Sequence, residues 1–145
     1  MSEHTYLVAT DGSDCSIRAA QKAIELAKLT KAAVKLFYVI DNTHKMPLAI
    51  EGYIPPEPSE ESQKANIVEH VMGPMLKELQ SDEVDVSSDI VLGDPAFQIT
   101  KYLKENDVSM LFVGRRSRST VMDLLIGSLA NKLAHAVEVP ITLVP

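Results

Sequence analysis

Four times along these 145 residues a short apolar run gives way to a stretch with helical spacing, and a fifth apolar run closes the sequence. The runs are Tyr6 to Ala9, Val34 to Ile40, the alternating Val84 to Leu92, Met110 to Val113 and Ile141 to Val144. Strands separated by helices pair in parallel, because a parallel crossover needs a connection about as long as a helix. The crossovers are right-handed, so the helices cover both faces of the sheet. The order therefore predicts one α/β domain over 1–145, with an open five-stranded parallel sheet. At this length a single core is large enough to fold alone.

The helix boundaries carry their own signals. Ser13 is a good N-cap before a helix whose Ile17, Ala20, Ile24 and Ala27 share one face. Ser59 caps a third element with Glu60 and Glu61 in its first turn, where the helix dipole favours acids. Ala65, Val68, Met72, Met75 and Leu79 keep one face there, and Gly73-Pro74 predicts a kink. Gly93-Asp94-Pro95 reads as a turn, an N-cap and a proline at the first helical position, with Ala96, Ile99 and Leu103 buried behind it. Pro140 stops the last helix, Leu129 to Val137. Residues 41–58 hold Pro47, Pro55, Pro56 and Pro58. A connection this long is a lid or plain disorder.

The third strand chooses the topology. Its sequence Val-Asp-Val-Ser-Ser-Asp-Ile-Val-Leu has one wet face, which suits a sheet edge. In the order 2-1-3-4-5 this strand would be central; in 3-2-1-4-5 it is an edge. The second order also makes strands one and four neighbours with connections leaving in opposite directions. A ligand crevice lies beyond the carboxyl ends of the strands at such a switch point. Two loops flank it, Asp11-Gly12-Ser13 and Gly114 to Ser128. The second loop holds Arg115, Arg116 and Arg118 with several hydroxyls, and it feeds a helix N-terminus. Unpaired N–H groups and the dipole make such a terminus receptive to phosphate. Gly127 permits close backbone approach, and Ser128 can cap the helix or donate to a phosphate oxygen. Ordinary capping beside a solvated arginine cluster is the plainer alternative.

On Val8-Ala9-Thr10-Asp11-Gly12-Ser13, Gly93-Asp94-Pro95 and Gly114 … Gly127-Ser128 … Val139-Pro140-Ile141, the chain resembles the universal stress protein family along nearly its whole length. The ATP-binding members carry Gly-x2-Gly-x9-Gly-Ser/Thr. Gly114, Gly127 and Ser128 keep that spacing, with Ser117 at the middle glycine position. The resemblance implies a Rossmann-like fold of the adenine nucleotide alpha hydrolase type. It implies ATP as ligand, with Mg2+ held mainly by the phosphates. Adenine contacts would come from Asp11 and from Val39, Ile40 and Asp41, with Thr10 also among the nucleotide-binding residues. Ribose and phosphate contacts would come from Gly114, Ser117, Gly127, Ser128 and Leu129; by their own chemistry Arg115, Arg116 and Arg118 can pair with phosphate. It also implies a homodimer through the last strand, Ile141 to Val144.

Other classes fit less well. A net charge of −6 argues against a general nucleic-acid binder. The apolar runs are shorter than a membrane span. The N-terminus lacks a leader pattern, and the lone Cys15 suits a reducing cytoplasm, the expected location. Cys15 itself reads as a small buried helix residue. No Gly-x4-Gly-Lys-Ser/Thr occurs, so a P-loop NTPase is excluded. His4, His44, His70 and His135 are scattered, without catalytic or metal spacing. Asp11, Asp41 and Asp94 follow successive strands, but phosphoacceptor chemistry wants a lysine after strand five. The expectation is a regulatory adenine-nucleotide binder with at most slow ATP hydrolysis. The alternative is a dimeric interaction module that binds no nucleotide.

Overall fold

The apolar runs pair side by side in one sheet. A computed structural model describes residues 4–43, 52–53, 56–115 and 126–145. Most of the proline-rich stretch of 41–58, and Arg116, Ser117 and Arg118, lie outside the described residues. In chain order the elements are β1 (Thr5–Thr10), α1 (Asp14–Thr30), β2 (Ala33–Asp41), α2 (Glu60–Ile67), a π-helical turn (Val68–Met72) and α3 (Gly73–Leu79). There follow β3 (Val86–Gly93), α4 (Pro95–Glu105), β4 (Met110–Gly114), α5 (Ser128–Ala136) and β5 (Ile141–Val144). The strand order is β3-β2-β1-β4-β5 and all four pairings are parallel. β3 takes the edge that its wet face demands: Ser87 and Asp89 are exposed while Ile90 is buried. It begins at Val86 rather than Val84, although Val84 is still buried against the core.

Strand pleating divides the core in two. Tyr6, Val8, Leu36 and Phe112 face α1 and α3 on one side. Leu7, Ala9, Phe37 and Leu111 face Ile99 of α4 and Leu133 of α5 on the other. The alternation follows from the two-residue period of a strand. Alanines at 19, 20, 23 and 27 are fully buried, so α1 carries little bulk on the side that meets the sheet. Its ends are closed locally. The Ser13 hydroxyl accepts the Ser16 N–H at 3.3 Å. At the other end Lys31 turns left-handed, φ 63°, and its N–H reaches the Ala27 carbonyl at 2.8 Å. Among the described residues no helix is long and apolar enough to cross a membrane.

The interruption at Gly73-Pro74 takes the form of an inserted π turn. Pro74 has no N–H to give the preceding turn, and the Gly73 N–H donates to Val68 O, five residues back. One extra residue in the turn rotates everything upstream out of phase. Ile67 and Val71 therefore pack against the core, while Ala65 and Val68, expected on the buried face, are exposed. An unbroken 3.6-residue period cannot register that insertion. A Cβ built on Gly73 would lie 2.6 Å from Val68 O. Gly73→Ala is therefore expected to destabilise the fold by about 1–3 kcal/mol. Urea unfolding checks this, and an unchanged midpoint would show that the π turn yields freely.

Candidate functional site

β1 and β4 are neighbours, yet α1 leaves β1 for one face and α5 follows β4 on the other. Their carboxyl ends therefore splay, and a cleft opens there as the switch-point rule requires. Ala9, Phe37 and Val113 form its floor, and Val39 lines it beside them. Pro95 and Ile99 of α4 face Leu129 and Ala130 of α5 across it. Polar groups come from Thr10, Asp11 and Ser16 at one end. The cleft holds about 550 Å³, counting its open mouth. Its mostly apolar lining with a few polar groups is typical of small-molecule pockets.

The turn after β1 sets the polar end. Gly12 has φ 78°, a conformation that favours glycine. The Ser13 N–H donates to Asp11 Oδ1 at 2.9 Å, which fixes the half-buried carboxylate. Asp11 Oδ2 makes no hydrogen bond among the described residues. The Thr10 hydroxyl turns away from the apolar floor. It donates to Ser16 Oγ at 3.0 Å and lies 3.5 Å from Met75 Sδ.

The end of β4 supplies the opposite wall. A Cβ on Gly114 would meet the Cys15 Cβ at 2.8 Å and the Ser16 nitrogen at 3.0 Å. Gly114 is thus required where β4 runs against the first turn of α1. Arg115 donates its N–H to the Val144 carbonyl at 2.7 Å and accepts the Gly127 N–H on its own carbonyl at 2.7 Å. These two bonds anchor both ends of the 116–125 connection. Gly127 serves as N-cap of α5, and no side chain caps that terminus among the described residues. Ser128, expected as a cap, is instead the first helical residue and is exposed. Arg115 Nε is buried with no hydrogen-bond partner among the described residues.

The end of β2 contributes less than expected. Val39 lines the cleft, but pleating sends the Ile40 side chain into the opposite core. Asp41 is exposed, and its Oδ1 accepts the Thr43 N–H at 3.0 Å and the Thr43 hydroxyl at 2.6 Å. The structure thus brings Thr10, Asp11, Val39, Gly114, Gly127 and Leu129 to one cleft. Ile40, Asp41, Arg115 and Ser128 are not among its lining residues. Arg116 and Ser117 lie outside the described residues. Phe37 and Ile99 were not anticipated. A strand's two-residue period carries the signal for Phe37, two positions before Val39 on the same face. No group of three His, Cys, Asp or Glu side chains is placed to hold a metal among the described residues.

A parallel 3-2-1-4-5 sheet with a mostly apolar cleft at its switch point, one carboxylate at the rim and a helix start beside it defines a doubly wound α/β domain with a candidate small-ligand cleft. The chain belongs to the universal stress protein family, whose family profile matches residues 4–145. It is 28% identical over 142 residues to universal stress protein YxiE of Bacillus subtilis, covering 95% of this chain and 96% of that one. Two solved structures share the fold. Universal stress protein UspA from Lactobacillus plantarum superposes with TM-score 0.76 at 15% identity, covering 100% of this chain and 99% of that one. The universal stress protein from Archaeoglobus fulgidus in complex with dAMP gives 0.71 at 15% identity, covering 100% of both chains.

Replacing Gly114 by alanine should force β4 away from α1 at the cleft wall. We expect a loss of about 1–3 kcal/mol, or a fall of several degrees in Tm for a domain of this size. Calorimetric melting would read it, and an unchanged Tm would mean that the wall relaxes without cost.

Proposed function

We propose that this universal stress protein binds an adenine nucleotide, ATP, in the switch-point cleft and acts by binding rather than by turnover. The observation that carries this reading is the distribution of hydrogen-bonding groups along the cleft. The slot between Ile99 and Leu129 is apolar and suits a planar base. At its rim Asp11 keeps one carboxylate oxygen unengaged among the described residues, an acceptor for an exocyclic amine. Adenine presents such an amine where guanine presents a carbonyl oxygen. Farther along, the α5 N-terminus offers backbone donors with no side-chain cap among the described residues, and Arg115, which follows the lining Gly114 without lining the cleft itself, has a buried Nε donor without a partner among the described residues. Phosphate oxygens are acceptors that would satisfy both. Mg2+ would be carried by the phosphates, since no described cluster of side chains offers it a site. The dAMP bound to the Archaeoglobus fulgidus relative supports the adenine assignment.

Titration calorimetry of ATP with Mg2+ into nucleotide-stripped protein should give a Kd on the order of micromolar, and GTP should bind at least tenfold more weakly. Gly127→Trp places a large ring at the wall and should abolish the heat. Equal affinity in wild type and Gly127→Trp would move the nucleotide away from this cleft. ADP release should stay at the protein-free background.

We further propose a homodimer through β5. Pro140 and Val144 accept backbone bonds from Leu111 and Arg115 of β4, so the alternate residues Ile141 and Leu143 direct N–H and C=O outward. Unpaired edge groups of this kind seek a second strand. Leu143→Pro removes one outward donor while leaving the β4 bonds in place. Light scattering should find the wild type at twice the chain mass and Leu143→Pro at the chain mass. A monomeric wild type at micromolar concentration would refute the dimer.

A further inference from the structure

We infer that the hydroxyls of Thr10 and Ser16 are positioning groups: they hold the Asp11 carboxylate at the cleft and do not touch the ligand. The inference rests on the adenine-nucleotide reading and assigns the device that orients its base-recognising acid.

The bonds around the turn form a closed series. The Gly12 N–H donates to Thr10 Oγ1 at 3.3 Å, Thr10 donates to Ser16 Oγ at 3.0 Å, and Ser16 donates to the Ser13 carbonyl at 2.9 Å. Each hydroxyl has one proton, and each is spent inside the turn. Both residues are buried, Thr10 at 6% and Ser16 at 3% exposure. Met75 Sδ, 3.5 Å away on α3, covers the far side of Thr10. No donor is left over for a ligand, although Ser16 borders the cleft.

What the series fixes is the path of Asp11-Gly12-Ser13. Gly12 at φ 78° has no side chain to restrain it, so its N–H bond to Thr10 supplies that restraint. Ser13 is held from both sides, by its carbonyl to Ser16 Oγ and by its hydroxyl to the Ser16 N–H at 3.3 Å. With Ser13 fixed, its N–H reaches Asp11 Oδ1 and leaves Oδ2 for the base. Exchanging the Thr10 hydroxyl for a methyl keeps the shape and removes the acceptor of the Gly12 N–H. The turn then loosens, and Asp11 is no longer held.

Two measurements on the full chain test this. In the free protein, amide hydrogen exchange followed by NMR should show the Gly12 and Ser13 N–H groups protected in wild type and in Thr10→Ser. In Thr10→Val both should exchange about tenfold faster while the amides of β1 keep their protection. Unchanged Ser13 protection in Thr10→Val would overturn the inference whether or not nucleotide binds. In the second measurement ATP affinities are compared for Thr10→Val, Asp11→Ala and the double variant. Thr10→Val should weaken binding by about fivefold, Thr10→Ser should restore it, and Thr10→Val should cost nothing further once Asp11 is alanine. Additive losses would mean that Thr10 meets the ligand itself and would overturn the inference. Absent binding by the wild type would refute the nucleotide reading alone, because the exchange experiment stands without a ligand.

Discussion

The end of β4 rests directly on the first turn of α1, with no side chain between them. Gly114 makes this possible, since any Cβ there would sit within 3.0 Å of Cys15 and Ser16 atoms. The contact ties together two segments about a hundred residues apart in sequence, and the cleft follows from it. α1 packs on one face of the sheet and α5 on the other. The Arg115 N–H bond to Val144 and the Gly127 N–H bond to Arg115 then return α5 to the same strand end. The site is the gap between a turn drawn to one face and a helix drawn to the other.

The two sides of that gap differ in chemistry for a reason set by the pleat. On the α1 face, Thr10, Ser13 and Ser16 exchange hydrogen bonds among themselves, so buried polar groups there are satisfied. On the α4 and α5 face, Ala9, Phe37, Val113 and Ile99 present carbon only. The Phe37 ring is in turn braced by Tyr102, with centroids 4.9 Å apart. A ligand entering between Asp11 and Leu129 meets an apolar, well-packed bed and one fixed carboxylate at its rim. Such a bed gains free energy from any flat ring it covers. On the reading proposed above, the carboxylate would discriminate among rings by the donor each presents.

Much of this was legible in the chain. The wet face of Val86 to Leu92 placed β3 at the edge, and the 3-2-1-4-5 order followed. Ser13, Ser59 and Asp94 were readable as caps because each needs only local geometry. What escaped has a common origin in contacts between distant residues. The π turn at Val68–Met72 inserts a residue that no fixed period can register, so Ala65 and Val68 were assigned to the wrong face. Thr10 sits beside Asp11 in sequence, yet its hydroxyl turns to Ser16 and Met75, a choice made by α1 and α3. Ile40 adjoins Val39 and faces the opposite core. Gly114 carries a motif spacing, while its packing against Cys15 shows only once the fold closes.

Among the helices that do not continue from a preceding helical turn, the start of α5 departs from the pattern. α1, α2 and α4 each begin with a side chain that accepts an N–H of the first turn: Ser13, Ser59 and Asp94. α5 begins at Gly127, with no such acceptor among the described residues. A glycine at the cap costs about a few tenths of a kcal/mol relative to a side-chain cap. Sequences otherwise consistent at every level tend to break a local rule where function requires it. Here the donors left uncapped among the described residues lie beside the cleft, on the opposite side from the Asp11 carboxylate. A side-chain cap at 127 would satisfy the helix and occupy the donors that an incoming anion needs. On the nucleotide reading proposed above, a bound anion would complete the start of α5, and ligand binding and helix completion would be one event.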